Sequence, residues 1–135
     1  MKTCYIYTRS ATHDASENSS AFTRQETACR KYTAQNGYKI LQTFSDPLTP
    51  GNSLERDGLN TLLKTCESYP VKAVIVSSID RLTRNVLDFC TLLKKFKEKN
   101  IRLVSTIEGD ICENYFVTSL LIGVSQWQAK WSKTK

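Results

Sequence analysis

Four short β-rich segments alternate along this chain with helix-patterned ones, and that alternation narrows the fold more than any other feature. Thr3 to Thr8, Tyr38 to Phe44, Lys72 to Ser77 and Ile101 to Ile107 read as strands. Between them, Ser19 and Ser20 are placed to cap a helix running to about Asn36, with Phe22, Cys29 and Tyr32 on one side, and Asn36-Gly37 stops it. Thr12 to Ser20 is polar and reads as a loop, as does Asp46 to Asn52 with Pro47, Pro50 and Gly51. Leu59, Leu62, Leu63 and Cys66 mark a short amphipathic helix; Val86, Phe89, Cys90, Leu93 and Phe96 mark another. Strand-helix alternation of this kind predicts an α/β fold, a mostly parallel central sheet flanked by helices. The 135 residues suit one domain, with no internal repeat or boundary.

Ligands of such sheets sit beyond the carboxyl ends of the strands. The chain concentrates chemistry there. Ser78-Ile79-Asp80-Arg81-Leu82-Thr83-Arg84-Asn85 follows the apolar run Ala73-Val74-Ile75-Val76, so a buried strand delivers an acid and two arginines to a strand-to-helix corner. Arginine is always charged, and its planar fork suits phosphate. A surface salt-bridge cluster at a helix start would use the same residues, and the segment alone does not separate the two. The formal net charge of +6 favours a polyanionic partner such as nucleic acid without requiring one.

Other function classes find no support. The single histidine, His13, cannot build a His-based metal cluster, and no metal or cofactor is expected. The five cysteines are odd in number and scattered, without a Cys-x-x-Cys pair, which fits reduced thiols in a cytoplasmic protein. There is no membrane-length apolar run and no secretory signal. Neither a Gly-rich phosphate loop nor an acid cluster at the first strand end is present.

The last segment has its own pattern. Val117, Leu120, Val124, Trp127 and Trp131 are spaced three, four, three, four, a heptad seam on one long helix over about 113–133 that follows an α/β core of about 1–110. An ordinary helix packed on its own domain would show the same spacing. Burying five such side chains supplies at most about 8–15 kcal/mol. Association costs roughly 4–15 kcal/mol, which leaves room for a dimer.

Three further pieces accompany the arginine corner: Tyr7-Thr8-Arg9-Ser10-Ala11-Thr12 closing the first strand, Gln25, and Glu55-Arg56-Asp57-Gly58-Leu59 opening the second helix. With the Asp-Arg-Leu-x-Arg element at Asp80, the Arg-x-Gly-Leu element at Arg56, the Asn36-Gly37-Tyr38 boundary and the order of elements, the chain resembles the catalytic domain of the serine recombinases, the resolvase/invertase family. The resemblance implies site-specific DNA recombination or integration of mobile elements. A serine attacks a DNA phosphodiester, forms a 5′-phosphoserine link and releases a 3′ hydroxyl, without ATP or an obligatory metal. It implies that Arg9, Arg56, Arg81 and Arg84 surround the phosphate, that Asp80 orients them or moves a proton, and that Gln25 supports the nucleophile loop. It implies a dimerisation helix at the C-terminus and homodimers that pair into tetramers when active.

The chain departs from the family pattern at three places. The motif Tyr-x-Arg-x-Ser falls on Tyr7, Thr8, Arg9, Ser10 and Ala11, so Ala11 holds the strict nucleophile position and Ser10 is a candidate only with a shifted register. A methyl group cannot attack phosphorus. Gln128 and Ala129 replace the Glu-Arg pair of the last helix, and no DNA-reading domain follows before Lys135. Two expectations follow: an active recombinase using Ser10, or a catalytically silent relative that dimerises with or regulates an active recombinase, or binds DNA weakly.

Overall fold

A computed structural model of the chain describes residues 2–10, 15–46, 56–83 and 86–111. In chain order these form β1 (Lys2–Arg9), α1 (Ala15–Asn36), β2 (Tyr38–Asp46), α2 (Asp57–Ser68), β3 (Ala73–Val76), α3 (Ile79–Leu82), α4 (Val86–Glu98), β4 (Arg102–Ser105) and β5 (Gly109–Asp110). One five-stranded sheet runs in the order β2-β1-β3-β4-β5. The first three pairings are parallel and the last is antiparallel. This is the mostly parallel α/β sheet that the strand-helix alternation predicts.

Alternation of side chains along each strand divides the core between two faces. Tyr5, Tyr7, Val74, Val76 and Leu103 pack with Leu59 and Leu62 of α2 and with Phe89, Leu92 and Phe96 of α4. Cys4, Ile6, Ala73, Ile75 and Val104 pack on the other face with Cys29 of α1. All four residues of β3 are buried, as a strand covered on both sides requires.

Helix ends follow local chemistry. Gly37, at φ +73°, turns the chain out of α1 into β2. α4 ends in a Schellman arrangement: the Ile101 amide donates to the Phe96 carbonyl at 2.9 Å and the Asn100 amide to Lys97 at 3.1 Å. Asn100 takes φ 58° there, a conformation asparagine tolerates better than most side chains.

The elements differ from expectation at several points; β2 runs on to Asp46, past the expected Phe44 and into the expected Asp46–Asn52 loop. α1 begins at Ala15, because Ala-Ser-Glu-Asn-Ser-Ser lacks apolar periodicity but contains no glycine or proline to break a helix. The fourth strand stops at Ser105, not Ile107. There the Ser105 hydroxyl accepts the amides of Ile107 (3.2 Å) and Glu108 (3.1 Å), and the turn leads into β5. The four-residue α3 lies between β3 and α4, where only a corner was expected. The expected C-terminal helix, with Val117, Leu120, Val124, Trp127, Gln128, Ala129 and Trp131, lies outside the described residues, as do Ala11 and Arg84.

Candidate functional site at the carboxyl ends of the strands

β1 carries Arg9 to the carboxyl end of the sheet, on the same face as Tyr5 and Tyr7 by strand alternation. Its side chain is fully buried and reaches the one-turn helix α3. Arg9 Nε donates to the Arg81 carbonyl at 3.0 Å, and Nη2 donates to the Asp80 carbonyl at 2.9 Å. A helix of one turn leaves most of its carbonyls without internal partners, and its carboxyl end favours a cation. Arg9 supplies both needs and fastens the end of β1 to the corner that follows β3.

Gln25 of α1 fixes the main chain of the same residue. Its Oε1 accepts the Arg9 amide at 3.0 Å, and its Nε2 donates to the Arg9 carbonyl at 2.8 Å. The carboxamide thus pairs with β1 as another strand would. Burial to 4 % exposure separates Gln25 from the exposed helix residue that its sequence context alone favours.

Ser10 follows directly. Its amide donates to the Asp46 carbonyl at 3.1 Å, so the β1–β2 ladder continues through it. The residue is 1 % exposed. The irregularity in the β1–β2 register falls between Cys4 and Tyr5, far from the strand end. Regular alternation assigns Ser10 to the face of Ile6 and Thr8, opposite Arg9.

Arg56 stands at the other side of the corner, at the N-cap of α2. It is buried, and its Nη1 donates to the Tyr7 hydroxyl at 3.1 Å. That hydroxyl donates to Asp46 Oδ2 at 2.6 Å. Asp46 also accepts the amides of Gly58 (2.7 Å) and Leu59 (2.9 Å), so the last residue of β2 caps α2 from a distance. Burial pushes the Tyr7 phenol above its ordinary range; the bond to Asp46 adds to this and Arg56 opposes it. Tyr7 therefore stays protonated at neutral pH, able to donate to Asp46 while accepting from Arg56.

This geometry explains the Arg-x-Gly-Leu spacing. A Cβ on Gly58 would meet the Ser45 carbonyl oxygen at 2.5 Å and Asp46 Cγ at 2.9 Å. Only glycine lets the helix amides approach the carboxylate this closely. Leu59 is then buried in the core beside Leu62.

The sequence-derived site residues thus separate into two groups. Arg9, Gln25 and Arg56 are buried, while Asp80 is exposed and Arg81 half-buried at the rim. Arg9, Gln25, Asp80 and Arg81 are joined directly by hydrogen bonds. Arg56 reaches the same face through Tyr7. Asp46 escaped the sequence reading, although Phe44 and Asp46, two apart, are the buried pair that ends β2. Among the described residues, no group of three or more His, Cys, Asp or Glu side chains is placed to hold a metal ion, and no helix is long and apolar enough to cross a membrane.

A mostly parallel sheet gathers arginines, a glutamine and an acid at its carboxyl end, where α/β domains of this kind hold their ligands. The family model described as the resolvase N-terminal domain matches residues 4–134, and the chain belongs to that family, whose solved relatives are serine recombinase catalytic domains. The N-terminal catalytic domain of TP901-1 integrase is similar at 25 % identity and a TM-score of 0.84, covering 97 % of this chain and 99 % of that one. A resolvase family site-specific recombinase from Streptococcus pneumoniae shares the fold at 21 % identity and a TM-score of 0.79, covering 99 % and 92 % of the two chains. A serine recombinase from Sulfolobus solfataricus shares it at 19 % identity and a TM-score of 0.60, covering 100 % and 89 %. No curated protein sequence matches the chain.

Proposed function

We propose that this chain is a catalytically silent member of the serine recombinases. In this reading it engages DNA phosphates at the Arg81 rim and pairs through its C-terminal helix with a second copy or with a related recombinase. The observation that carries it is the placement of Ser10: buried, with its amide still in the β1–β2 ladder, at a register opposite Arg9. Ala11, at the strict nucleophile position, has no atom to attack phosphorus. The phosphate-facing chemistry is otherwise retained. Arg81 supplies an accessible cation beside Asp80, Arg84 follows three residues later, and Arg9 and Arg56 hold the surrounding frame from within. Phosphoryl transfer asks a protein mainly for positioning and positive charge, so such a frame is sufficient for grip without a nucleophile.

The retained contacts around Arg9 favour a second reading, an active enzyme that uses Ser10. Its hydroxyl would give up its proton as Oγ bonds to phosphorus, the bond from phosphorus to the 3′ oxygen would break, and that oxygen would take up a proton to leave as a 3′ hydroxyl. Ser10 would first have to leave its ladder bond with Asp46, at a cost of about 1–3 kcal/mol.

Binding is tested with a fluorescent DNA duplex titrated across a range of salt concentrations. The silent reading expects salt-dependent association and no strand cleavage on a denaturing gel. It expects Arg81→Ala to weaken binding and reduce the magnitude of the salt slope by about 1. Binding that ignores salt, or an Arg81→Ala variant that binds as wild type, would remove the phosphate contact. Cleavage by the wild-type chain would return the active reading.

A further inference from the structure

We propose that a second ligand site, for a nucleoside phosphate, lies at the opposite end of the sheet. A cleft of about 340 Å³ opens there, lined by Lys2, Tyr32, Asn36, Tyr38, Lys72, Arg102 and Asp110. Lys2, Tyr38 and Arg102 begin β1, β2 and β4, and Lys72 immediately precedes β3. The cleft therefore marks the amino ends of the strands, away from the Arg9–Arg81 corner. Its volume falls in the range of small-molecule sites.

The lining combines two kinds of chemistry. The rings of Tyr32 and Tyr38 lie 6.4 Å apart between centroids and within 27° of parallel, and they provide π surface of the kind on which a base stacks. Lys2 Nζ sits 4.4 Å from the centre of the Tyr38 ring, which places a cation against the aromatic wall. Arg102 Nη1 meets Asp110 Oδ2 at 2.5 Å. Neither Lys2 nor Lys72 has a carboxylate partner within 4.0 Å among the described residues. Among the described lining residues, three cations stand against one carboxylate, which favours an anion. Asn36 Nδ2 donates to the Tyr32 carbonyl at 2.9 Å, a side-chain bond reaching one turn back along α1. Burial raises the Tyr38 phenol, with Tyr32 and Asp110 adding and Arg102 opposing, so it remains a hydroxyl donor at neutral pH.

An anion alone would need only the lysines, and a base alone only the tyrosines. A ligand carrying both uses the whole lining. A free nucleotide and the 5′-phosphorylated end of a nucleic-acid strand share this chemistry. The site does not depend on whether Ser10 or Ala11 permits catalysis.

The test is calorimetric titration of the full chain with AMP, inorganic phosphate and a short 5′-phosphorylated oligothymidylate. Wild type is expected to bind AMP at least about 10-fold more tightly than inorganic phosphate. Lys72→Glu is expected to weaken AMP at least about 10-fold, because it reverses a charge at the ligand. Tyr32→Leu should weaken AMP by several-fold and leave phosphate unchanged. Lys72 is exposed, and only its main chain bonds to Thr3 and Arg102, so the Glu variant keeps the fold, which circular dichroism confirms. Arg81→Ala should bind AMP as wild type does. Oligonucleotide binding tighter than AMP that persists in Arg81→Ala and is lost in Lys72→Glu assigns the site to a strand end, and AMP binding tighter than the oligonucleotide in Arg81→Ala assigns it to a free nucleotide; either upholds it. The proposal is overturned if AMP does not bind by about 10 mM. It also fails if phosphate binds as tightly as AMP, or if Arg81→Ala loses binding while Lys72→Glu keeps it.

Discussion

Arg9 is held on two sides by one carboxamide and two carbonyls. Gln25 binds its main chain, and the carbonyls of Asp80 and Arg81 bind its side chain. Removing Gln25 would take a hydrogen-bond partner from a buried amide and from a buried carbonyl, each loss costing about 1–3 kcal/mol. Gln25→Ala is therefore expected to lose about 2–4 kcal/mol in urea unfolding, far more than an exposed helix position would. A similar argument applies to Asp46, which accepts from Tyr7, Gly58 and Leu59. Asp46→Ala removes a distant helix cap and leaves the Tyr7 hydroxyl without this acceptor, for an expected loss of about 2–4 kcal/mol. Tyr7→Phe, which spares the cap, should cost less in the same measurement. Equal losses for the two variants would contradict this division.

Secondary-structure elements show where sequence is a sufficient guide and where it is not. The apolar run Ala73–Val76 declares a buried strand, and the spacing of Leu59, Leu62 and Cys66 declares the buried side of α2. Gly37 marks the end of α1 as expected. The carboxyl-end cluster was legible to the extent that Arg9, Asp80 and Arg81 sit at strand ends, where a parallel sheet gathers ligands. Asp46 was not legible, because its partners lie 39 residues before it and 12 and 13 after it. Such a contact exists only once β1, β2 and α2 have packed. α3 and β5 were missed because four- and two-residue elements carry no periodicity to read. The junction of β2 and α2 also yields an element-scale prediction. Gly58→Ala forces a methyl group against the Ser45 carbonyl, which is main chain and cannot swing aside. It should destabilise the fold by about 1–3 kcal/mol although alanine favours helix, and thermal unfolding measures the sign.

At the scale of the whole molecule, the core places limits on the thiols. Burial raises Cys4 and Cys66 to about 11 and Cys29 to about 12, from an ordinary thiol value of 9.0. All three should resist alkylation near neutral pH in the folded chain and react after unfolding. The same shifts govern stability in alkali. An unfolded thiol gives up its proton near pH 9 while the folded one keeps it, so the unfolded state gains. Stability should be insensitive to these thiols below about pH 9 and fall between about pH 9 and 12. A Cys29→Ala variant should show a shallower fall over that window, and an unchanged slope would remove Cys29 as a cause.

On the proposed reading, the Arg81 rim faces DNA phosphate while Ala11 stands at the strict nucleophile position. Intact-mass spectrometry of the wild-type chain and of Ala11→Ser, after incubation with DNA and denaturation, tests that combination most directly. A silent domain predicts an unmodified wild-type mass and, in the variant, a 5′-phosphonucleotide on the hydroxyl introduced at position 11. A 5′-phosphonucleotide mapped to Ser10 in the wild-type chain would contradict it.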